Sequence, residues 1–178
     1  SHTLYAQYHF TFNDEYDSAY NKLMMFKIED GSKQLELLSN KDRHNLIPVM
    51  LANYEDFLLL MLNGDANYYN KHKKNLDTRI ALLEKGPNNS PWKKYSKANV
   101  YFQWALVQMR FGENLSAATT MRKSFLLLKE NAQQFPNFHY NNVIYGFEEA
   151  VLGTFPDKYK WITSMFGMSG SVVKGTNK

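Results

Sequence analysis

Chain-breaking residues are few in this sequence, and they fall between stretches of helical periodicity. Proline occurs only at Pro48, Pro87, Pro91, Pro136 and Pro156, four of them at apparent boundaries, and there are 9 glycines in 178 residues. Against these stand 12 tyrosines and 12 phenylalanines. Scarce breakers and abundant large apolar side chains favour long helices over a loop-rich or small-strand design. No run of alternating β-branched residues is long enough to form a sheet.

The runs can be placed from their caps. Asn13, followed by Asp14 and Glu15, supplies a capping side chain and then acids at the positive end of the helix dipole. Tyr16, Ala19, Leu23 and Phe26 follow at helical spacing, Gly31 is expected to end that helix, and Lys33 to Leu38 reads as a short second one. Asn40 to Asn45 reads as linker. A third helix is expected from Leu46 to Leu62, with Pro48 in its first turn. After the turn signal Asn63-Gly64-Asp65 a fourth carries Ala66, Tyr69, Lys73, Leu76, Ile80 and Leu83. The strongest break is Gly86 to Pro91, with Ser90 as cap and Pro91 at the first helical position.

From Trp92 to Phe111 the apolar residues form two stripes: Ala98, Tyr101 and Ala105 on one, Val100, Trp104, Val107 and Phe111 on the other. Such a helix is packed between neighbours. Gly112 turns the chain, and Leu115, Ala118, Met121, Phe125, Leu128, Ala132 and Phe135 mark the clearest amphipathic helix. Pro136 closes it. Two more helices are expected over Phe138 to Leu152 and from Asp157 to about Phe166, followed by a Gly- and Ser-rich tail from Gly167 to Lys178. The expected organisation is an N-terminal arm over 1–12, a helical domain over 13–166 and a tail over 167–178. Ser1-His2 reads as a tag remnant, or Thr3 to Gln7 as the end of a secretory signal cut after Ala6; both readings stay open, and so does the choice between an exported and a cytoplasmic protein.

The chemistry open to the chain is narrowed by what it lacks. With no cysteine there is no disulfide, no Cys-ligated zinc or iron–sulfur cluster and no thiol nucleophile. The apolar run Leu46 to Leu62 carries Asn53, Glu55 and Asp56, which makes it too polar for a membrane span. A net charge of +4 is small for a nucleic-acid binder, and the basic stretch Lys71-His72-Lys73-Lys74 with Arg79 reads as a solvated helix face. Trp92-Lys93-Lys94-Tyr95 has the residue types that stack bases and neutralise phosphates, yet reads better as a wet helix start with its aromatics packed beneath. His2, His9, His44, His72 and His139 are scattered, with no metal-ligand spacing. The adjacent acids Asp14-Glu15, Glu55-Asp56 and Glu148-Glu149 point about 100° apart on a helix, poor geometry for a two-carboxylate site. Ser90, Ser116 and Ser169 lack a nucleophile-elbow motif, and Gly167-Met168-Ser169-Gly170 is too short to cradle phosphate. No enzyme signature, metal site or cofactor site emerges.

Gly31, Gly64, Gly112 and Gly153, read as turns within helix pairs, are separated by 33, 48 and 41 residues, the period of a helical solenoid. Over Ala98 to Ser124 the pattern resembles a tetratricopeptide repeat. Tyr101 takes the large first position, Trp104-Ala105 the Leu-Gly pair and Gly112 the turn, with Ala117, Met121 and Ser124 following. Tyr145-Gly146 and Gly153 resemble the first half of another unit, whose second half departs at Lys158. The segment from Glu149 to Pro156 with Tyr159, Trp161, Gly167, Gly170 and Gly175 is similar to the end of larger tetratricopeptide-like proteins, among them the mitochondrial inclusion-body-clearance family of fungi and exported bacterial proteins.

The resemblance implies an all-α fold of antiparallel helix pairs, stacked as a right-handed solenoid of about eight helices. It implies a protein or peptide partner held in a concave groove lined by the first helix of each pair. Carried over by register, that groove falls on Asn99, Phe102, Leu106, Met109, Arg110, Tyr140, Val143, Phe147 and Val151. The carboxylate clamp of some family members is absent, with Gln103 and Ile144 at its places. The expectation is an interaction scaffold, one part of a larger protein. The alternative is a small-molecule or lipid-binding α-domain, which a closed apolar cavity would favour and an open concave face would oppose.

Overall fold

In the computed structural model, residues 7–142 are described. They form seven helices: α1 (Asp14–Met24), α2 (Ile28–Lys41), α3 (Ile47–Asn63), α4 (Ala66–His72), α5 (Asn75–Leu83), α6 (Pro91–Arg110) and α7 (Asn114–Gln134). Residues 140–142 are helical as well. No strand occurs among the described residues; the one isolated bridge joins His9 to Asn45. The helices expected beyond residue 142, with Gly153 and the tail, lie outside the described residues.

Several termini are made by the residues that announced them. The Asn13 side chain accepts from the backbone N–H groups of Glu15 and Tyr16 at 3.0 and 3.3 Å. Ser90 Oγ accepts from the Trp92 N–H at 3.3 Å, with Pro91 as the first helical residue. Gly64 and Gly112 both take positive φ, at 62° and 79°, where other residues are strained.

Two expectations are corrected. Gly31 does not end α1; it lies inside α2, and the turn comes earlier, where Phe26 adopts a φ of 59°. A Cβ on Gly31 would stand 2.8 Å from both Cγ and Cδ2 of Leu23, so glycine is needed for the close approach of α1 and α2. The second helix is therefore longer than Lys33 to Leu38, and the glycine spacing loses its first turn. The single helix expected from Ala66 to Leu83 is also broken, at Lys73-Lys74, into α4 and α5. Tyr68 from α4 and Asn75 and Arg79 from α5 converge on one carboxylate of α3, Asp56.

The core has two lobes sharing α3 and α6. One gathers Tyr16, Leu23, Leu35, Ile47, Leu51, Ala98, Ala105 and Leu128; the other Leu60, Tyr69, Leu83, Val100, Trp104 and Val107. Of the two stripes expected on α6, Ala98 and Ala105 face the first lobe and Val100, Trp104, Val107 and Phe111 the second, while half-buried Tyr101 belongs to neither. The most extensive packing is α6 on α7, which fold back on each other through the turn at Gly112. Buried Ala98, Ala105 and Ala117 keep that pair close, and Ser124 Oγ donates to the Ala98 carbonyl at 2.7 Å. Residues 7–12 run along the body: His9 N–H donates to the His44 carbonyl, and Asn45 Nδ2 donates to the Thr11 carbonyl.

Candidate functional site

A cavity of about 180 Å³ lies among α1, α3 and α6. From α1 it takes Asp17 and Tyr20; from α3, Met50, Leu51 and Tyr54; from α6, Trp92, Tyr95 and Asn99; Phe12 and Tyr140 flank it. Each helix supplies residues three or four apart, one face of a helix turned to the same space. The rings brace one another. Phe12 stacks on Trp92 at 5.1 Å, Tyr20 meets Tyr54 edge-on at 5.3 Å, and Trp92 meets Tyr95 edge-on at 5.6 Å. Tyr140 closes against Trp92 at 4.8 Å and 47°.

Two polar residues of the cavity, Tyr54 and Asn99, are tied into the interior. Asn99 Nδ2 donates to Tyr54 Oη at 2.9 Å, and Gln103 Nε2 donates to Asn99 Oδ1 at 2.8 Å. Asn53 Nδ2 donates to Gln103 Oε1 at 2.7 Å, while Asn53 Oδ1 accepts from Trp104 Nε1 and Arg79 Nη1, both at 2.8 Å. Arg79 reaches Asp56 at 2.5 Å, and Asp56 also accepts from Tyr68 at 3.1 Å and Asn75 at 2.8 Å. A hydrogen-bonded chain therefore runs from the cavity wall across α3 to α5. Burial pushes the Tyr54 phenol well above its ordinary pKa, with the neighbouring Tyr95 and Tyr20 adding to the shift and the bond from Asn99 opposing it. Burial also raises Tyr95 and Tyr20. Tyr20, Tyr54 and Tyr95 are therefore neutral phenols at physiological pH.

Of the residues expected to line a groove, Asn99 and Tyr140 do line this cavity. Asn99 is only 2% exposed and Phe102 7%, so both belong to the core, whereas Tyr140 is 42% exposed. Leu106 and Met109 are half-buried, and Arg110 is exposed with its Nε donating to the Leu60 carbonyl at 3.1 Å. Val143, Phe147 and Val151 lie outside the described residues. The register carried over from residues 98–153 reaches α6 through Asn99 but does not extend to α1 or α3. Asp17 and Tyr20 on α1 and Leu51 and Tyr54 on α3 line the cavity at the same helical spacing, and that spacing is visible in the sequence.

A second, open groove of about 900 Å³ runs between α2, α3 and α5, bordered by Glu29, Lys33, Glu36, Glu55 and Arg79. Its mixed charges select no ligand class. Lys71, Lys73 and Lys74 are exposed, as a solvated face requires, but Arg79 is half-buried on Asp56. At the start of α6, Tyr95 is packed under the helix as expected, but Lys93 is not wet: its Nζ donates to the Glu84 carbonyl and to Asn88 Oδ1, both at 2.7 Å, closing the end of α5. Among the described residues no three His, Asp or Glu gather as metal ligands, and no helix is long and apolar enough to cross a membrane. No family model, curated protein or solved structure matches the chain.

Proposed function

We propose that this chain is a protein- or peptide-binding module that holds one anchor side chain of its partner in the cavity formed by α1, α3 and α6. The observation that carries the reading is the cavity itself: aromatic walls, contributed by α1, α3 and α6, with half-exposed Tyr140 at its edge. Tyrosine and tryptophan around a small desolvated pocket are the usual makers of binding hot spots. The packing order fits tetratricopeptide-like stacking, which we adopt as part of the proposal: α1 and α2 pack together and on α3, α3 and α5 on α6, and α6 on α7. A role as one part of a larger scaffold goes with it.

Small-molecule binding draws on the same cavity. Its volume of about 180 Å³ falls below the roughly 300–1,000 Å³ of ordinary ligand pockets, which favours a single side chain over a drug-sized molecule or a lipid. Selection of binders from a random peptide display library tests the reading. Selected peptides should share one anchor position, and Trp92→Ala should weaken them by at least about tenfold, since truncating a hot-spot aromatic costs 2 kcal/mol or more. Circular dichroism would verify that the variant keeps its helices. Peptides that bind Trp92→Ala as well as the parent chain would sink the proposal.

A further inference from the structure

The cavity has the electrostatics of a cation site. No lysine, arginine or histidine stands among its described lining residues, and its one formal charge is the carboxylate of Asp17. Aromatic rings carry negative faces, and six of the ten lining residues are aromatic: Phe12, Tyr20, Tyr54, Trp92, Tyr95 and Tyr140. A cation within such walls is attracted by the ring quadrupoles and by the carboxylate together.

The kind of cation follows from the acceptors. Asn99 spends its amide on Tyr54 Oη and its carbonyl on Gln103. Asp17 Oδ2 already accepts from Asn21 Nδ2 at 3.0 Å, so the Asp17 carboxylate offers charge with part of its accepting capacity used. A primary ammonium brings three N–H donors that would need acceptors inside the cavity. A quaternary ammonium brings none, and its methyl groups bury apolar surface against the rings. We propose that the cavity is a cage for a quaternary ammonium group, presented by the partner as a trimethyl-lysine side chain. The proposal rests on the partner-holding reading of the same cavity.

Calorimetric titration of the full chain tests it with four probes: a short glycine-flanked trimethyl-lysine peptide, the same peptide with unmodified lysine, the same peptide with carbon replacing the quaternary nitrogen, and choline. The trimethyl-lysine peptide should bind on the order of tenfold tighter than its neutral carbon isostere, the discrimination a desolvated cation–π site provides. It should also exceed the unmodified lysine peptide. Asp17→Asn, at an exposed position, should shrink the preference for the charged probe several-fold without lowering affinity for the isostere. Equal affinity for the cation and its isostere overturns the cage and leaves a plain apolar anchor site, with the partner-holding reading intact. Choline binding as tightly as the peptide overturns the side-chain source and counts against that reading. No binding by any probe overturns the inference, and an unchanged preference in Asp17→Asn removes Asp17 from it.

Discussion

Asn53 and Asp56 stand in the middle of the most apolar run of the chain, and both end up buried. A buried carboxylate is tolerable only when its lone pairs are occupied and its charge is opposed. Arg79 does the second, while Tyr68 and Asn75 help with the first. In Arg79→Met the charge of Asp56 would be left unopposed, at side-chain exposures of 14% for Arg79 and 6% for Asp56. Removing one member of such a pair costs about 3 kcal/mol of stability, readable by urea denaturation. Replacing Asp56 by Leu in the same chain should recover most of the loss, because no uncompensated charge then remains. A loss under about 1 kcal/mol in the single variant would mean that water enters and solvates Asp56. In sequence these polar residues said only that the run is no membrane span. Their partners lie 23 residues away for Arg79 and 50 for Gln103, and local spacing carries no trace of a bond that long.

At the scale of elements, legibility divides along the same line. The caps at Asn13 and Ser90 and the left-handed turns at Gly64 and Gly112 are local chemistry, so they stand where spacing put them. Gly31 looked identical in sequence but serves an approach between two helices, which no local rule distinguishes from a turn. Gly31→Ala separates the two roles. At a helix interior the substitution should gain about 1 kcal/mol of propensity. Here the new methyl would meet Leu23 at 2.8 Å, and Leu23 is 0% exposed, with no room to swing aside. Overpacking of that kind costs roughly 1–3 kcal/mol, so the net effect should be a loss of about 1 kcal/mol. Thermal denaturation would show it as a lowered Tm; a raised Tm would mean that α1 and α2 can separate cheaply. The break between α4 and α5 at Lys73-Lys74 likewise leaves no mark on the apolar spacing of Leu76, Ile80 and Leu83.

For the whole molecule, the aromatic residues that signalled a helical fold also set how it responds to pH. The cavity draws on α1, α3 and α6 with Phe12 and Tyr140 flanking it, so its existence depends on how those helices pack; the spacing in the sequence points only to Asn99 and Tyr140. Three of its phenols are held protonated by burial: Tyr54 is raised well above the ordinary value of 10, and Tyr20 and Tyr95 are raised with it. Tyr16, Tyr68, Tyr69 and Tyr101 are raised in the same direction, again with burial as the leading cause. Above pH 10 the unfolded chain releases these protons while the folded chain keeps them, so the unfolded state binds fewer protons and stability falls as pH rises. Below pH 10 both states are protonated and this contribution is fully present. Tm should therefore be insensitive to these groups up to about pH 9.5 and fall steeply beyond pH 10. Phenolate absorbance should appear together with the loss of helix, because the buried rings ionise only when the packing opens. Ionisation of most tyrosines at pH 10–11 with the helices intact would show that the walls of the cavity are open to solvent, and would weaken its assignment as a desolvated site.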